Sequence, residues 1–531
     1  MDKRSFNIIG TCKPDTDYMV DISERVKIMK EMVDRGNYFT INRPRQFGKT
    51  TLISALTDRL SDEYICARIS FEGFGDECFD NATAFCLTVT KRISRALENS
   101  RAGYDIEYVR QWENASMTNF THLDEHISKM CKGRKVVLLI DEVDKTSNNK
   151  VFIHFLGVLR NKFLLRKDGL DHTFHSVVLA SVHDIRNLKL KLINENDTSS
   201  TIHGHPLNSP WNIAVPFLVD MAFNPKDISG MLTEYEKDYA TNMEIAKVSE
   251  AIYENTSGYP FLVSQICKML DESLPLDWTV SGVHNAVKAL INQVHTVYGV
   301  STLFDDISKN LESNPDIYAF VYDVLIVGKQ MHYTLSDPTI QRAAMYGIIN
   351  SKDSIATISN RIFEIYITDY FTSKDRRNQN RSPITGYKGD IVKCGRFDME
   401  SCLTKFSELF QEIYSDRDQT FIEEHGRMLF LTYLKPLING GGFYHIESQL
   451  TDQRRMDLVV DYGREQFIIE LKLWYGESAH EKAFDQLSGY LKSKGLLEGY
   501  LLTFDFRKEK NRTAKAQWVE YKGMRIFDVV M

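Results

Sequence analysis

The sequence predicts an α/β chain in which a parallel sheet wrapped by helices comes first, helical material follows, and a second α/β domain closes the chain. Three observations carry that expectation. A β-rich run, Tyr38 to Ile41, enters the turn Asn42-Arg43-Pro44-Arg45-Gln46-Phe47-Gly48-Lys49-Thr50-Thr51 and leaves it in the helical run Leu52, Ile53, Ala55 and Leu56. A wholly apolar run, Val136 to Ile140, delivers two acids, Asp141 and Glu142. Far downstream, Asp457 heads the apolar run Leu458-Val459-Val460, and Glu470-Leu471-Lys472 lies in the next one.

Taken in order, Asp21 or Ser23 is positioned to cap a helix whose apolar face is Ile22, Val26, Met29 and Val33, and Gly36 stands where it would stop. Strands follow at 38–41, 64–71, 136–140 and 176–181, separated by helical stretches such as Ala82 to Leu97. Strands alternating with helices imply a parallel sheet covered on both faces. After Pro216 the periodicity turns helical, through Asp227 to Leu232 and Phe261 to Leu274. The expected organisation is an α/β core over 1–215, a helical lid over 216–315 and a winged-helix-like unit over 316–372. A polar, basic linker over 373–398 precedes an α+β domain over 399–531. Within that last domain, helices near 399–415 and 421–434 precede strands at 444–447, 457–461 and 466–471.

Length fits several domains, since 531 residues exceed what one core supports. A net charge of −7 argues against a protein that holds nucleic acid by bulk electrostatics alone. The eight cysteines form no C-x-x-C pair, which disfavours structural zinc and a disulfide framework and points to a reducing cytoplasm. No apolar stretch is long enough to span a bilayer, so no membrane partner is expected.

A strand feeding a glycine turn and then a helix can wrap phosphates, because backbone N–H groups and the helix N-terminus converge on the anion. In that arrangement Gly48 gives the turn, Lys49 meets the outer phosphates, and Thr50 holds Mg²⁺. Arg45, Gln46, Phe47 and Thr51 complete the cradle. Arg43 stands where the usual pattern has its first glycine. Asp141 fits a magnesium-holding acid and Glu142 a water-activating one. Ser181 and His183, at the end of the run 176–181, are candidates for sensing the terminal phosphate. Arg43, Arg45, Arg160 and Arg186 are candidate charge stabilisers. ATP or GTP is the expected ligand, with ATP preferred.

These residues, with Phe6-Asn7, Gly10, Cys12, Tyr18-Met19-Val20-Asp21, Ser209-Pro210-Trp211-Asn212-Ile213-Ala214 and Ser257-Gly258-Tyr259-Pro260-Phe261, resemble the prokaryotic AAA-like ATPase family across the first 370 residues or so. The family shares the R-x-R-x-x-G-K-[ST] loop, so Arg43 is consistent with an intact site. The resemblance implies a P-loop NTPase of the ASCE, AAA-like class, an ATP-binding and ATP-hydrolysing switch with a helical lid and a winged helix.

At the other end, Glu470 and Lys472 share a strand face because alternate side chains point the same way. Clustered acids that hold divalent ions, with a lysine beside them, can cleave a phosphodiester. The set resembles the PD-(D/E)xK nuclease superfamily, which implies Asp457, Glu470 and Lys472 as the catalytic core. By that match Glu424, or Glu423 beside it, completes the metal-binding acids, and Gln486 with Tyr490 matches a Q-x-x-x-Y seen in some branches, which implies them as substrate-binding residues. Mg²⁺ or Mn²⁺ is the implied metal, nucleic acid the implied partner with DNA favoured over RNA, and a homo-oligomer is allowed. Prokaryotic defence or mobile-element biology is suggested by the fusion type alone. The tail adds Arg507, Lys508, Lys510, Arg512, Lys515, Lys522 and Arg525, against Glu509 and Glu520, interleaved with Phe504, Phe506, Trp518 and Tyr521, which suits either a nucleic-acid track or an ordinary solvated face. The rival expectation is a signalling or scaffold ATPase whose C-terminal domain binds nucleic acid or protein without cutting.

Overall fold

Four short strands, each apolar on both sides, build the first sheet: β1 (Tyr38–Asn42), β2 (Ile65–Ser70), β3 (Val136–Asp141) and β4 (Ser176–Ser181). All pairs are parallel, and the order is β1-β4-β3-β2, so β4 lies between the strand that feeds the glycine turn and the strand that delivers the acids. Alternation sorts the side chains. Tyr38, Leu138, Ile140, Val177 and Leu179 join one buried cluster with the helices Ala82–Glu98, Phe120–Cys131 and Lys150–Lys167. Phe39, Ile41, Val137, Leu139, Val178 and Ala180 join another with Ser23–Asp34 and Lys49–Leu60. The predicted parallel sheet covered on both faces is therefore present.

The computed structural model describes residues 4–98, 105–146, 149–182, 185, 210–272, 277–296, 301–327, 329–378, 391–393, 395–413, 423–438, 442–445, 458–463, 465–505 and 515–531. The chain divides into two compact units. The first comprises Met1–Tyr253, Gly258–Thr279 and Met345–Gly347; the second comprises Glu254–Ser257, Val280–Ala344 and Ile348–Met531. Beyond its sheet, the first unit continues into the helix Pro225–Tyr239. Its N-terminus is fixed by a reciprocal cap in which Asn224 accepts from the Asp227 N–H at 2.9 Å and Asp227 accepts from the Asn224 N–H at 3.2 Å. The N-terminal arm ties to that helix, with Tyr18 and Arg4 both donating to Asp238.

The second unit opens with the helices Val280–Thr296, Thr302–Ser313 and Pro315–Tyr322, then the antiparallel hairpin of β5 (Ile349–Lys352) and β6 (Ile355–Ile358) and the helix Arg361–Asn378. A two-stranded ribbon, β7 (Val392–Lys393) and β8 (Arg396–Phe397), and the helices Met399–Ile413 and Glu423–Ile438 precede a six-stranded sheet. Its strands are β9 (Gly442–His445), β10 (Leu458–Tyr462), β11 (Glu465–Leu473), β12 (Glu498–Phe504), β13 (Lys515–Tyr521) and β14 (Met524–Val530), in the order β13-β14-β12-β11-β10-β9. β9, β10 and β11 run antiparallel in turn, whereas β11, β12 and β14 are parallel. The helix Glu477–Lys494 makes the crossover from β11 to β12.

Of the linker expected at 373–398, residues 379–390 and 394 lie outside the described residues, and the rest holds the end of the helix Arg361–Asn378 and the ribbon of β7 and β8. That helix is bound to elements farther along the chain. Asp369 pairs with Lys435 at 3.1 Å and Arg361 with Asp461 at 2.6 Å. The described tail residues are likewise committed: Arg525 pairs with Glu498, Lys522 with Asp485, and Phe504 is fully buried. Phe506 and the basic run of Arg507, Lys508, Lys510 and Arg512 lie outside the described residues. All cysteines among the described residues are free, and no helix among them is long and apolar enough to cross a membrane.

Candidate functional site

Helix Lys49–Leu60 begins where Gly48 adopts φ +77°, a left-handed conformation that favours glycine. Gln46, with φ 55°, and Glu142, with φ 55°, take the same conformation without being glycine. Such backbone costs energy and concentrates at functional sites, and here the two residues follow the carboxyl ends of two strands of the same parallel sheet, β1 and β3. Lys49 is 5% exposed, and its ammonium donates to the carbonyls of Arg43 at 2.9 Å and Pro44 at 2.8 Å. Burial holds its pKa below the usual lysine value, against the pull of Asp144, Glu142 and Asp141. The same burial raises the Glu142 carboxyl above its ordinary value, with Lys49 opposing. A buried lysine and three acids therefore share one field at the carboxyl ends of β1 and β3.

The remaining loop positions divide by role. Thr50 is half-buried, and the Thr51 hydroxyl accepts from the Cys12 N–H at 3.2 Å, which closes the N-terminal arm over the start of the helix. Phe47 packs edge-on against Tyr259 at 4.8 Å, and the Tyr259 hydroxyl donates to the Arg45 carbonyl at 2.5 Å. Two glycines hold the surroundings tight: a Cβ on Gly258 would lie 1.9 Å from the Phe223 carbonyl oxygen, and one on Gly347 would lie 2.8 Å from Pro44 Cβ. The Ser-Gly-Tyr-Pro motif is thus a brace for the phosphate loop.

Two of the candidate residues are already engaged elsewhere. The Arg43 guanidinium donates to the carbonyls of Asn42, at 2.7 Å, and Val219, and lies over the Phe217 ring at 5.5 Å, so it ties the loop to the segment after the sheet rather than pointing at a phosphate. The Ser181 hydroxyl donates to Asp144 at 2.7 Å, and the Val182 N–H donates to the same carboxylate. Asp144, a residue without a role in the sequence reading, therefore fastens the end of β4 to the turn after β3. Its signal was the third acid in Asp141-Glu142-Val143-Asp144. Arg45 is exposed, Arg160 belongs to the helix Lys150–Lys167, and His183 and Arg186 lie outside the described residues. Thr50, Asp141 and Glu142 offer oxygen ligands only, the donor set a hard divalent ion takes.

On the second unit's sheet, Glu470 is 0% exposed and accepts an ion pair from Lys472 Nζ at 2.9 Å, so the shared face deduced from alternation is real. Register puts Glu470 beside Leu501 and Lys472 beside Thr503 on β12, and Leu501 beside Asp528 on β14. His480, from the crossover helix, bridges the far side: Nε2 lies 3.0 Å from Asp528 Oδ2 and Nδ1 lies 3.4 Å from Thr503 Oγ1. A line of polar groups, Glu470, Lys472, Thr503, His480 and Asp528, thus crosses a face otherwise made of Val459, Ile468, Leu501 and Ile526. His480, Thr503 and Asp528 were not anticipated, because they come from three separate elements.

Asp457 lies outside the described residues. Glu424 opens the helix Glu423–Ile438, but its side chain, like that of Glu423, also lies outside them. Gln486 is half-buried on the crossover helix. Tyr490, expected on the substrate side, is instead a core residue, 3% exposed and packed with Val459, Ile468 and Leu487, because its helical position faces the sheet. Among the described residues no group of three or more His, Cys, Asp or Glu side chains is arranged to hold a metal ion.

A family model described as AAA-like domain matches residues 10–369. No curated protein matches the sequence. Among solved structures, a Walker-type ATPase of Pyrococcus abyssi is 9% identical, covers 68% of this chain and 99% of its own, and has a TM-score of 0.46. The ORC2 protein of Aeropyrum pernix, in ADPNP and ADP complexes, is 13% identical over 67% of this chain and 93% of its own, with a TM-score of 0.33. A mutant RuvB of Thermotoga maritima is 13% identical over 64% of this chain and 92% of its own, with a TM-score of 0.28. With its model matched over more than half of the sequence, and with a parallel sheet that carries a glycine-lysine-threonine turn and a paired acid strand, the chain belongs to the AAA-like family and has its P-loop ATPase fold.

Proposed function

We propose that the first unit binds ATP with Mg²⁺ and hydrolyses it, and that its nucleotide state governs a Mg²⁺-dependent nuclease in the second unit that cleaves DNA in preference to RNA. The observation that carries the first half is the buried Lys49 ammonium facing Asp141, Glu142 and Asp144 across the end of a parallel sheet. Lys49 and the N–H groups at the head of helix Lys49–Leu60 would grip the phosphates, with Thr50 and Asp141 holding the ion. Bound Mg²⁺ would neutralise charge on the outer phosphates. Glu142, half-buried and with a raised pKa, is suited to take a proton from water.

The second half rests on a carboxylate and a lysine placed in an apolar sheet interior, where a structural role alone would be served as well by apolar residues. Leu458, the sequence neighbour of Asp457, pairs with Ile469, the sequence neighbour of Glu470, which fits Asp457 as the partner acid. Glu470 and Asp457, with Glu424, would hold the metal, and Lys472 would steady charge at the phosphate.

The rival reading, an ATPase whose second unit binds without cutting, is favoured by the closed Glu470 to Lys472 pair at 2.9 Å, which an ordinary salt bridge also makes. Purified protein incubated with single-stranded DNA, duplex DNA and RNA, with Mg²⁺ or Mn²⁺ and with or without ATP, separates the two. Cleavage that Glu470→Gln abolishes supports the nuclease. No cleavage under any condition, with ATP turnover intact and lost in Lys49→Ala, supports the rival.

A further inference from the structure

The phosphate loop is held from two sides, and each holding residue stands where the chain passes from one compact unit to the other. Those passages fall between Ser257 and Gly258 and between Gly347 and Ile348. At the first, Ser257 and Gly258 both take left-handed backbone, φ 46° and φ 70°, and the Gly258 carbonyl accepts from the Phe223 N–H at 2.9 Å. Tyr259 follows at once and braces Arg45 and Phe47. At the second, Gly347 lies so close to Pro44 that a Cβ there would fall 2.8 Å from Pro44 Cβ and 2.9 Å from its Cγ. With Arg45 and Phe47 braced, the Pro44 peptide is the part of the loop that can give.

The residue after Gly347 is fixed in the second unit. The Ile348 N–H donates to the Ala343 carbonyl at 3.0 Å, and its carbonyl accepts from the Ser359 N–H at 3.0 Å. Ile348 is fully buried and leads directly into the hairpin of β5 and β6. One peptide bond, with no spacer, thus joins a residue seated on the phosphate loop to a residue bonded to both ends of the hairpin region. The loop side of this joint is tied to Lys49, whose ammonium donates to the Pro44 carbonyl at 2.8 Å. A phosphate oxygen is the stronger acceptor for an ammonium, because a charged partner makes the shorter and stronger bond. A triphosphate at the head of helix Lys49–Leu60 therefore competes for the group that restrains Pro44.

We propose that Gly347 is a relay: when ATP draws Lys49 from the Pro44 carbonyl, the seat under Gly347 loosens and the β5–β6 hairpin of the second unit loosens with it. This rests on the nucleotide reading above, and it names the route by which nucleotide state reaches the second unit. Such coupling is reciprocal, so a change that loosens the hairpin side must favour nucleotide binding.

The test is hydrogen exchange of the full chain at the amides of residues 348–358, with and without Mg²⁺ and a non-hydrolysable ATP analogue, alongside calorimetric affinity for the analogue. The analogue should speed exchange there in wild type and leave it unchanged in Lys49→Ala. Ser359→Pro removes the N–H bonded to the Ile348 carbonyl from outside the nucleotide site, and should bind the analogue about fivefold more tightly. Wild type that binds the analogue while exchange at 348–358 is unchanged or slowed overturns the relay and leaves the nucleotide reading standing. Wild type that does not bind the analogue removes the nucleotide reading and the relay with it. Folded Ser359→Pro that binds no more tightly than wild type also overturns the relay; if that variant does not fold, the wild-type exchange result decides alone.

Discussion

Replacing Lys472 with Met tests whether the Glu470 to Lys472 contact is a buried pair in energy as well as in geometry. Glu470 is 0% exposed and Lys472 27%, with 2.9 Å between Nζ and Oε1. Methionine keeps most of the lysine stem, so no large cavity opens, and the change isolates the loss of the ammonium. Removing one partner of a buried pair costs about 3–5 kcal/mol. Water reaching the lysine end puts the expected loss at the lower bound, about 3 kcal/mol. Glu470→Gln leaves a neutral amide inside and a lysine that can turn toward solvent, and should cost about 1 kcal/mol or less. The double variant should then lose far less than the sum, a coupling of about 2 kcal/mol. Urea denaturation of the full chain measures the three losses, and hydrogen exchange at the amides of β11 and β12 locates them. A Lys472→Met loss below about 1 kcal/mol, or strict additivity, would refute the reasoning. The same numbers warn that a lost activity in Lys472→Met counts only where folding is shown intact.

Gly258→Ala places a Cβ 1.9 Å from the Phe223 oxygen on backbone at φ +70°, and should lower stability by more than the 1–2 kcal/mol of left-handed backbone alone, read as a fall in unfolding temperature. Gly48→Ala meets only Met221 Cε at 4.0 Å, so it should show about that backbone cost and no more, and equal losses for the two would contradict the packing account. Tyr259→Phe deletes the donor to the Arg45 carbonyl while the ring stays on Phe47. A loss of about 1 kcal/mol should appear as a several-fold weaker affinity for an ATP analogue by calorimetry, and unchanged affinity would reduce the contact to loop packing. Burial beside Trp112 pushes His126 down to about 4. Below the ordinary value of about 6.5, the unfolded chain takes a proton that the folded chain refuses, so stability falls as pH drops from about 6.5 toward 4 and levels beneath it. His126→Asn should flatten that window in urea titrations at successive pH values, and an unchanged slope would exclude His126 as its source.

The first site was legible because its parts are contiguous. Strand, turn and helix around Gly48, and the strand ending in Asp141-Glu142, each declare themselves within a dozen residues, and the sheet followed from their alternation. What the order of residues does not carry is which strand lies next to which. With β4 between β1 and β3, the acid that reaches Ser181 is Asp144, and a hydroxyl read as a phosphate sensor is already bonded. Arg43 misled for a similar reason, since the carbonyl that captures it belongs to Val219, far along the chain. The stretch at 373–398 looked like linker because its composition is polar and basic, yet Asp369 and Arg361 just upstream carry contacts that only tertiary structure reveals.

In the second unit, periodicity of two was enough to place Glu470 and Lys472 together, but parallel pairing decides what joins them. β11, β12 and β14 are neighbours through crossovers, so Thr503 and Asp528 enter the same face from positions 31 and 56 residues beyond Lys472. Polar groups on the covered face of a sheet are a stability burden unless paired, and apolar replacements of similar volume are often neutral or favourable. Here five of them fall in two bonded sets, Glu470 with Lys472 at 2.9 Å, and His480 with Thr503 at 3.4 Å and with Asp528 at 3.0 Å, among leucine, isoleucine and valine. Anchoring the helix Glu477–Lys494 through His480 uses Thr503 and Asp528, and neither contact involves Glu470 or Lys472. The His480 to Asp528 contact therefore serves anchorage, and the Glu470 to Lys472 pair is left over for the chemistry proposed above.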